Sequence, residues 1–129
     1  MATIRLAPVE AKATVAAVAT IAGFLMVTSC NLQRQQDCDK FVSAMKEIDE
    51  GSPSAATVDK VNKEVETLEI KDQPLQIYAS NYRNTLSALS STLRLNESST
   101  PPDGTDEAIK TELKMARTDS RDVQRYCSQ

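Results

Sequence analysis

Apolar residues recur at spacings of three and four in four segments of the chain, and this spacing places side chains on one face of an α-helix. The third segment keeps it longest, with Leu75, Tyr78, Tyr82, Leu86, Leu89 and Leu93. The first segment has Cys38, Phe41, Val42, Met45 and Ile48, the second has Val58, Val61, Val65 and Leu68, and the fourth has Ile109, Leu113, Ala116, Ser120, Val123 and Cys127. The pattern predicts four amphipathic helices.

Helix-breaking residues separate the four segments. Gly51-Ser52-Pro53 follows the first, Asp72-Gln73-Pro74 precedes the third, and the stretch from Asn96 to Thr105 precedes the fourth. Asp72 and Pro74 are typical of a helix cap and a first turn. Four such helices with short connections predict an all-α fold, an antiparallel up-and-down four-helix bundle.

Residues 13–27 form an uncharged, largely apolar run that is preceded by Arg5 and Lys12 against a single acid, Glu10. A helix that spans a bilayer needs about 20 apolar residues, so this run is short for a span. Basic residues followed by a short apolar run are typical of a signal peptide.

Val27-Thr28-Ser29-Cys30 closes this run and resembles the lipid-attachment signal of bacterial lipoproteins. In that family an aliphatic residue, a small or hydroxylated residue and then Gly, Ala or Ser precede the modified cysteine. The resemblance implies that residues 1–29 are a cleaved signal peptide and that Cys30 carries diacylglycerol and further acyl groups such as palmitate. Residues 30–36 would then form a tether, and residues 37–129 the helical bundle domain.

An uncleaved signal anchor is the alternative, because the uncharged stretch continues through Asn31, Leu32 and Gln33. Basic residues that precede an apolar segment tend to stay cytoplasmic. Both interpretations therefore predict a membrane-anchored domain on the exported side, which is the periplasm, the outer surface or a thylakoid lumen.

A short tether, a cysteine close to the first helix and Tyr126-Cys127 near the end also resemble small uncharacterised helical lipoproteins of cyanobacteria. A four-helix lipoprotein that assists photosystem II assembly on the lumenal side offers a fold-level analogy, without a shared local motif. The analogy supplies an alternative and nothing more, and the predicted partner is another envelope or thylakoid protein.

An even number of antiparallel helices places the start of the first and the end of the fourth at one end of the bundle. Cys38 and Cys127 are thereby brought together, and with Cys30 committed to lipid they are the predicted disulfide of an exported protein. The alternative is that both are simply buried apolar positions. Two thiols in a chain without histidine cannot complete a zinc site, so no metal is predicted.

Charge and motifs exclude several functions. The net charge is −3, and removal of Arg5, Glu10 and Lys12 with the signal peptide would leave about −4, which disfavours nucleic acid as a partner. The chain has no glycine-rich phosphate loop and no Ser-x-x-Lys motif. Asp37 and Asp39 fall at the predicted start of the first helix, where the helix dipole favours negative charge, so they need no catalytic role. We therefore predict no catalytic residues and no cofactor.

The predicted function is a non-catalytic interaction or assembly module. The alternative is a ligand or pigment carrier, which the scarcity of aromatic residues disfavours.

Two surfaces are predicted to contact a partner. The third helix carries no charge from residue 84 to residue 93, and surfaces poor in charge suit protein contact, although such a helix could also be merely enclosed. The loop at residues 96–105 would lie at the end remote from Cys30, although it could also be a plain connector. The candidate residues are Asn84, Ser87 and Ser91 on the helix and Ser98 and Asp103 in the loop.

A basic stripe on the fourth helix ends with Arg121 and Arg125, near the end that would face the membrane. Each base close to an anionic membrane surface is worth about 1 kcal/mol, so these two residues are candidates for membrane contact. The alternative is that the stripe pairs with acids of the second helix, which are Glu64, Glu66 and Glu69.

Overall fold

The computed structural model describes residues 31–129, which form four α-helices and no strand. Helix α1 covers residues 31–49 of this part, followed by α2 (Ala55–Thr67), α3 (Gln73–Asn96) and α4 (Thr105–Cys127). The chain divides between Gln33 and Arg34 into two units, and the packing described below lies within Arg34–Gln129. The predicted signal peptide and the predicted lipidation site Cys30 lie outside the described residues.

Polar contacts between neighbouring helices show that each helix runs opposite to the next. In each pair of neighbouring helices, higher-numbered residues of one helix contact lower-numbered residues of the other. The contacts are Glu47–Lys60 and Asp37–Lys71 beside α1 and α2, Asp59–Ser90 and Glu66–Arg83 between α2 and α3, Thr85–Asp119 and Thr92–Glu112 between α3 and α4, and Asp49–Ser120 and Cys38–Cys127 between α1 and α4. The predicted all-α four-helix bundle is therefore confirmed.

Local sequence explains where the helices begin. Ser54 Oγ accepts the backbone N–H of Thr57 at 3.2 Å and caps α2. Asp72 Oδ2 accepts the N–H of Leu75 at 3.3 Å, with Pro74 in the first turn of α3, as predicted. Gly104 precedes α4 with φ +85°, a left-handed conformation that favours glycine.

The core of the bundle is filled by the apolar faces that the sequence predicted. The rings of Phe41 and Tyr82 meet edge to face, with centroids 5.9 Å apart. The largest apolar side chains with no exposed surface are Tyr82, Phe41, Met45, Ile48, Leu75, Leu86, Leu89, Val58, Val61 and Val123. The periodicity therefore predicted the inward faces of all four helices correctly.

A disulfide joins Cys38 of α1 to Cys127, the last residue of α4, across 89 positions of sequence, with a Cα–Cα distance of 5.9 Å. This is the pairing predicted from the sequence. Closure of so long a loop contributes about 4 to 5 kcal/mol to stability in the chain-entropy account. The bond fixes the two ends of the bundle domain to each other.

The residues expected to form a tether are helical over 31–36, the described part of that range. Arg34 Nη2 donates to the backbone carbonyl of Tyr126 at 2.6 Å, and its guanidinium lies 4.4 Å from the centroid of the Tyr126 ring. The first helix therefore begins earlier than the apolar spacing indicated, and Arg34 belongs to the bundle.

Candidate interaction surfaces

The end of the bundle that contains the disulfide is called here the proximal end, and a buried carboxylate organises it. Asp37 is fully buried, and its Oδ2 accepts the backbone N–H groups of Lys71 and Asp72, each at 3.0 Å. The assignment of Asp37 to a helix start was wrong, because α1 already includes residues 31–36. Instead, Asp37 holds the connection between α2 and α3.

Tyr126 extends this network to α4. Its hydroxyl donates to Asp72 Oδ2 at 2.7 Å, and its ring lies 5.7 Å from that of Tyr78. Burial, followed by the hydrogen bond to the Asp72 carboxylate, raises the pKa of Tyr126 above its ordinary value. These contacts join α1, α3 and α4 beside the disulfide.

A second group of polar side chains is buried between α1, α3 and α4. Ser120 Oγ donates to Asp49 Oδ2 at 2.6 Å. Asp49 Oδ1, Tyr82 Oη and Arg117 Nε are also buried, and none of them has a hydrogen-bond partner within the described part of the chain. Burial raises the pKa of the Tyr82 hydroxyl, and the negative charges of Asp49 and Asp119 add to the shift.

The three predicted candidates on α3 are all exposed, but their side chains point in different directions. Asn84 and Ser91 point away from the bundle, whereas Ser87 Oγ accepts a hydrogen bond from Asn62 Nδ2 of α2 at 3.1 Å. Helix α3 is thus flanked by α2 on one side and by α4 on the other. It is not enclosed, because its outward face stays in contact with solvent.

We call this outward face the α3 stripe. It consists of Ile77, Asn81, Asn84, Ala88, Ser91 and Leu95, all of them exposed. Ile77 is 64% exposed and Leu95 is 51% exposed. The spacing of the inward apolar face did not indicate these two residues, although their apolar character at positions outside that face was the available signal.

The charged residues that border the α3 stripe are engaged within the bundle. Arg83 pairs with Glu66 at 3.4 Å, and Arg94 pairs with Asp59. The hydrogen bond from Ser90, followed by that from Arg94, holds the pKa of Asp59 below its usual value. The stripe is therefore an uncharged band whose neighbouring charges are already compensated.

The opposite end of the bundle, called here the distal end, carries the loop at residues 97–104 and an apolar cleft of about 450 Å³. Leu93, Ile109 and Leu113 line the cleft and remain only partly buried. We call this feature the distal cleft, and its complete lining is Ser52, Pro53, Leu89, Leu93, Asn96, Asp106, Ile109, Lys110 and Leu113.

The predicted loop candidates Ser98 and Asp103 are both exposed beside this cleft. Ser98 Oγ donates to the carbonyl of Leu95 at 2.6 Å, and Thr105 Oγ1 donates to that of Pro102, also at 2.6 Å. The loop is therefore held at both of its ends by local hydrogen bonds. The sequence pattern predicted the loop but not the apolar cleft, which forms only when three parts of the chain pack together.

Arg121 and Arg125 are exposed on the last two turns of α4. Arg125 lies 4.0 Å from Asp122 of its own helix. The alternative pairing with acids of the second helix is not observed for these two residues, since Glu64 pairs with Lys60 and Glu66 with Arg83. Both guanidinium groups lie toward the proximal end.

None of the helices within residues 31–129 combines the length and hydropathy needed to cross a bilayer. Across the same residues, no group of three or more His, Cys, Asp or Glu side chains is arranged to hold a metal ion. Comparison of the chain with protein-family models, with curated proteins and with solved structures finds no match.

Proposed function

We propose that this protein is a membrane-anchored lipoprotein that acts as a non-catalytic interaction module for another envelope or thylakoid protein. The distal cleft and the loop beside it form the contact site. The observation that carries the proposal is the set of partly buried aliphatic side chains of Leu93, Ile109 and Leu113 around an open cleft. A few anchor side chains that fill such pockets supply most of the binding energy of many protein interfaces.

The position of the cleft agrees with attachment through Cys30. Cys30 precedes Cys38 by eight positions, so an acyl group there would keep the proximal end close to the membrane. The distal cleft would then face away from the bilayer, toward a partner. Arg121 and Arg125 lie toward the proximal end, where an anionic membrane surface would attract them.

The disulfide supports the exported location, because such bonds persist in oxidising compartments and are rare in the cytosol. An uncleaved signal anchor would put the same domain on the same side of the membrane. The mass of the mature amino terminus separates these two forms of attachment.

A ligand or pigment carrier would need space inside the bundle. The interior is instead occupied by large side chains without exposed surface, among them Phe41, Met45, Tyr82 and Leu86. A filled core of this kind favours a protein contact over a carrier function.

Site-directed photo-cross-linking in native membranes tests the contact site. A photoreactive side chain replaces Lys110, which lines the distal cleft, and a control replaces Lys63, an exposed lysine on α2. We expect one protein to be cross-linked from position 110 in near-stoichiometric yield and not from position 63. The substitution Ile109→Ser should remove this product while the helical content stays unchanged.

Two results would overturn the proposal. One is equal cross-linking from both positions, which would indicate random contact. The other is a purified protein that carries a bound small molecule and yields no protein adduct at position 110. That outcome would favour the carrier function.

A further inference from the structure

One wall of the distal cleft is a short turn of the chain. Ser52 and Pro53 belong to the connection between α1 and α2, residues 50–54, which we call the α1–α2 turn. Another wall belongs to α4 and includes Ile109 and Leu113. The width of the cleft therefore depends on how the α1–α2 turn is held relative to α4.

The middle of the α1–α2 turn has open space on two sides. The ends of the turn are fixed, because Ile48 before it and Ala55 after it are buried. Between them, Ser52 and Pro53 border the distal cleft and also a second groove, of about 440 Å³, beside α1 and α2. Core packing therefore fixes the ends of the turn and leaves its middle to be held by other contacts.

Arg117 of α4 supplies such a contact. Its Nη2 donates to the backbone carbonyl of Gly51 at 2.5 Å, across 66 positions of sequence. Gly51 has φ +83°, a left-handed conformation that favours glycine, and it turns the chain out of α1. Arg117 thus holds the turn at the residue before Ser52, and it does so from the helix that forms the other wall.

We infer that Arg117 is a positioning residue of the distal cleft, and that its hydrogen bond to Gly51 sets the distance between the α1–α2 turn and α4. A guanidinium that donates to a carbonyl makes a charge-assisted hydrogen bond, which is stronger than a bond between neutral groups. Leu113 lies one helical turn before Arg117 and so on the same side of α4. One side chain therefore connects the two walls of the cleft.

The guanidinium of Arg117 makes no ion pair within residues 31–129. Its Nε is buried without a hydrogen-bond partner among these residues, and so is Oδ1 of Asp49. The two residues line one small pocket, yet they are not paired with each other. The bond to Gly51 is the one side-chain hydrogen bond of Arg117 in this part of the chain. The arginine thus contacts the turn and not a carboxylate.

Ser120, close by on α4, holds a different point. Its Oγ donates at 2.6 Å to Oδ2 of Asp49, the last residue of α1. This bond fixes the end of α1 whether or not Arg117 is present. Loss of Arg117 should therefore release the α1–α2 turn and leave the four helices in place.

Distances between spin labels, measured by pulsed electron paramagnetic resonance on the full chain, test the inference. Labels at Ser52→Cys and Lys114→Cys report the distance from the α1–α2 turn to α4. Labels at Lys46→Cys and Lys114→Cys report the distance from α1 to α4, as a control. All three positions are exposed. The chain without introduced cysteines reveals any label that attaches elsewhere.

Arg117→Met removes the donor and keeps an unbranched side chain. We expect the ratio of displaced to held turn to rise about tenfold, the factor by which loss of a hydrogen bond to a charged group shifts an equilibrium. A second, longer distance from position 52 should therefore appear, while the distance from position 46 stays the same. Arg117→Lys keeps a donor and should restore most of the held turn. Arg121→Met, at an exposed arginine one helical turn later, should change neither distance.

Photo-cross-linking from position 110 then measures the functional consequence, which rests on the proposed contact site. We expect Arg117→Met to lower the yield of the partner adduct and Arg117→Lys to restore it. A residue that served stability alone would change the melting temperature and leave this yield unaffected.

The inference is overturned if Arg117→Met leaves the distance from position 52 unchanged, or if Arg121→Met lengthens it equally. It is also overturned if the distance from position 46 lengthens as much, since the whole bundle would then have loosened. A turn that is displaced in Arg117→Met while the adduct yield stays the same would contradict the proposed contact site and leave the role of Arg117 intact.

Discussion

Asp37 Oδ2 accepts the backbone N–H of Asp72 at 3.0 Å, so a buried carboxylate of α1 positions the residue that caps α3. Asp72 in turn accepts the hydroxyl of Tyr126, and the backbone carbonyl of Tyr126 accepts a hydrogen bond from Arg34. A continuous path of hydrogen bonds thus links α1, α3 and α4 next to the disulfide. These contacts hold three helices together at the proximal end, opposite the distal cleft.

Replacement of Asp37 should therefore destabilise the bundle. Asp37→Ala leaves the N–H groups of Lys71 and Asp72 without their acceptor in a buried place, and we expect a loss of about 2 to 4 kcal/mol. The exposed neighbour Asp39 is the matched control, and Asp39→Ala should change stability by less than about 0.5 kcal/mol. Urea unfolding followed by circular dichroism measures both. Equal effects would show that the carboxylate of Asp37 does not support the α2–α3 connection.

Removal of the disulfide should lower stability strongly but not additively. Cys38→Ser, Cys127→Ser and the double variant each break the same bond, so each should lose up to about 4 to 5 kcal/mol. A reducing agent should lower the melting temperature of the parent chain and leave that of the double variant unchanged. If the double variant lost twice as much as either single variant, the two cysteines would be acting independently.

Tyr126→Phe removes the hydroxyl that donates to Asp72, and we expect a loss of about 1 to 2 kcal/mol at neutral pH. Tyr78→Phe is the control, because the Tyr78 hydroxyl makes no hydrogen bond in the described part of the chain. Stability measured by urea unfolding should fall for the first variant and stay nearly constant for the second.

Alkaline pH should weaken the parent chain through Tyr126. Its pKa is raised in the folded protein, so the folded state keeps a proton that the unfolded state releases. The stabilisation is complete below the unfolded tyrosine pKa of about 10, and it falls as pH rises above that value. Tyr126→Phe should reduce this alkaline loss. An unchanged pH profile in that variant would contradict the assignment.

Tyr82→Phe should raise the stability of the bundle at neutral pH, whereas Tyr126→Phe should lower it. The Tyr82 hydroxyl is fully buried and has no hydrogen-bond partner among residues 31–129, so its removal should raise stability by about 1 kcal/mol. The raised pKa of Tyr82 adds to the loss of stability at high pH, which this variant should also lessen. A loss of more than about 1 kcal/mol would indicate a bound water molecule on the hydroxyl.

The inward faces and the disulfide were predictable because both follow from periodicity and from the number of helices. Asp37 was missed because an acid near a helix start was attributed to the helix dipole. Its position four residues before Phe41, a core residue, was the signal that it shares the inward face. The distal cleft was not predictable, since it depends on how Pro53 meets two helices distant in sequence.

The intact mass of the native protein, extracted from its membrane in detergent, tests the proposed lipid attachment. We predict a chain that begins at Cys30, with residues 1–29 removed and with the added mass of a diacylglyceryl group and further acylation. An unprocessed amino terminus without an acyl adduct would contradict it.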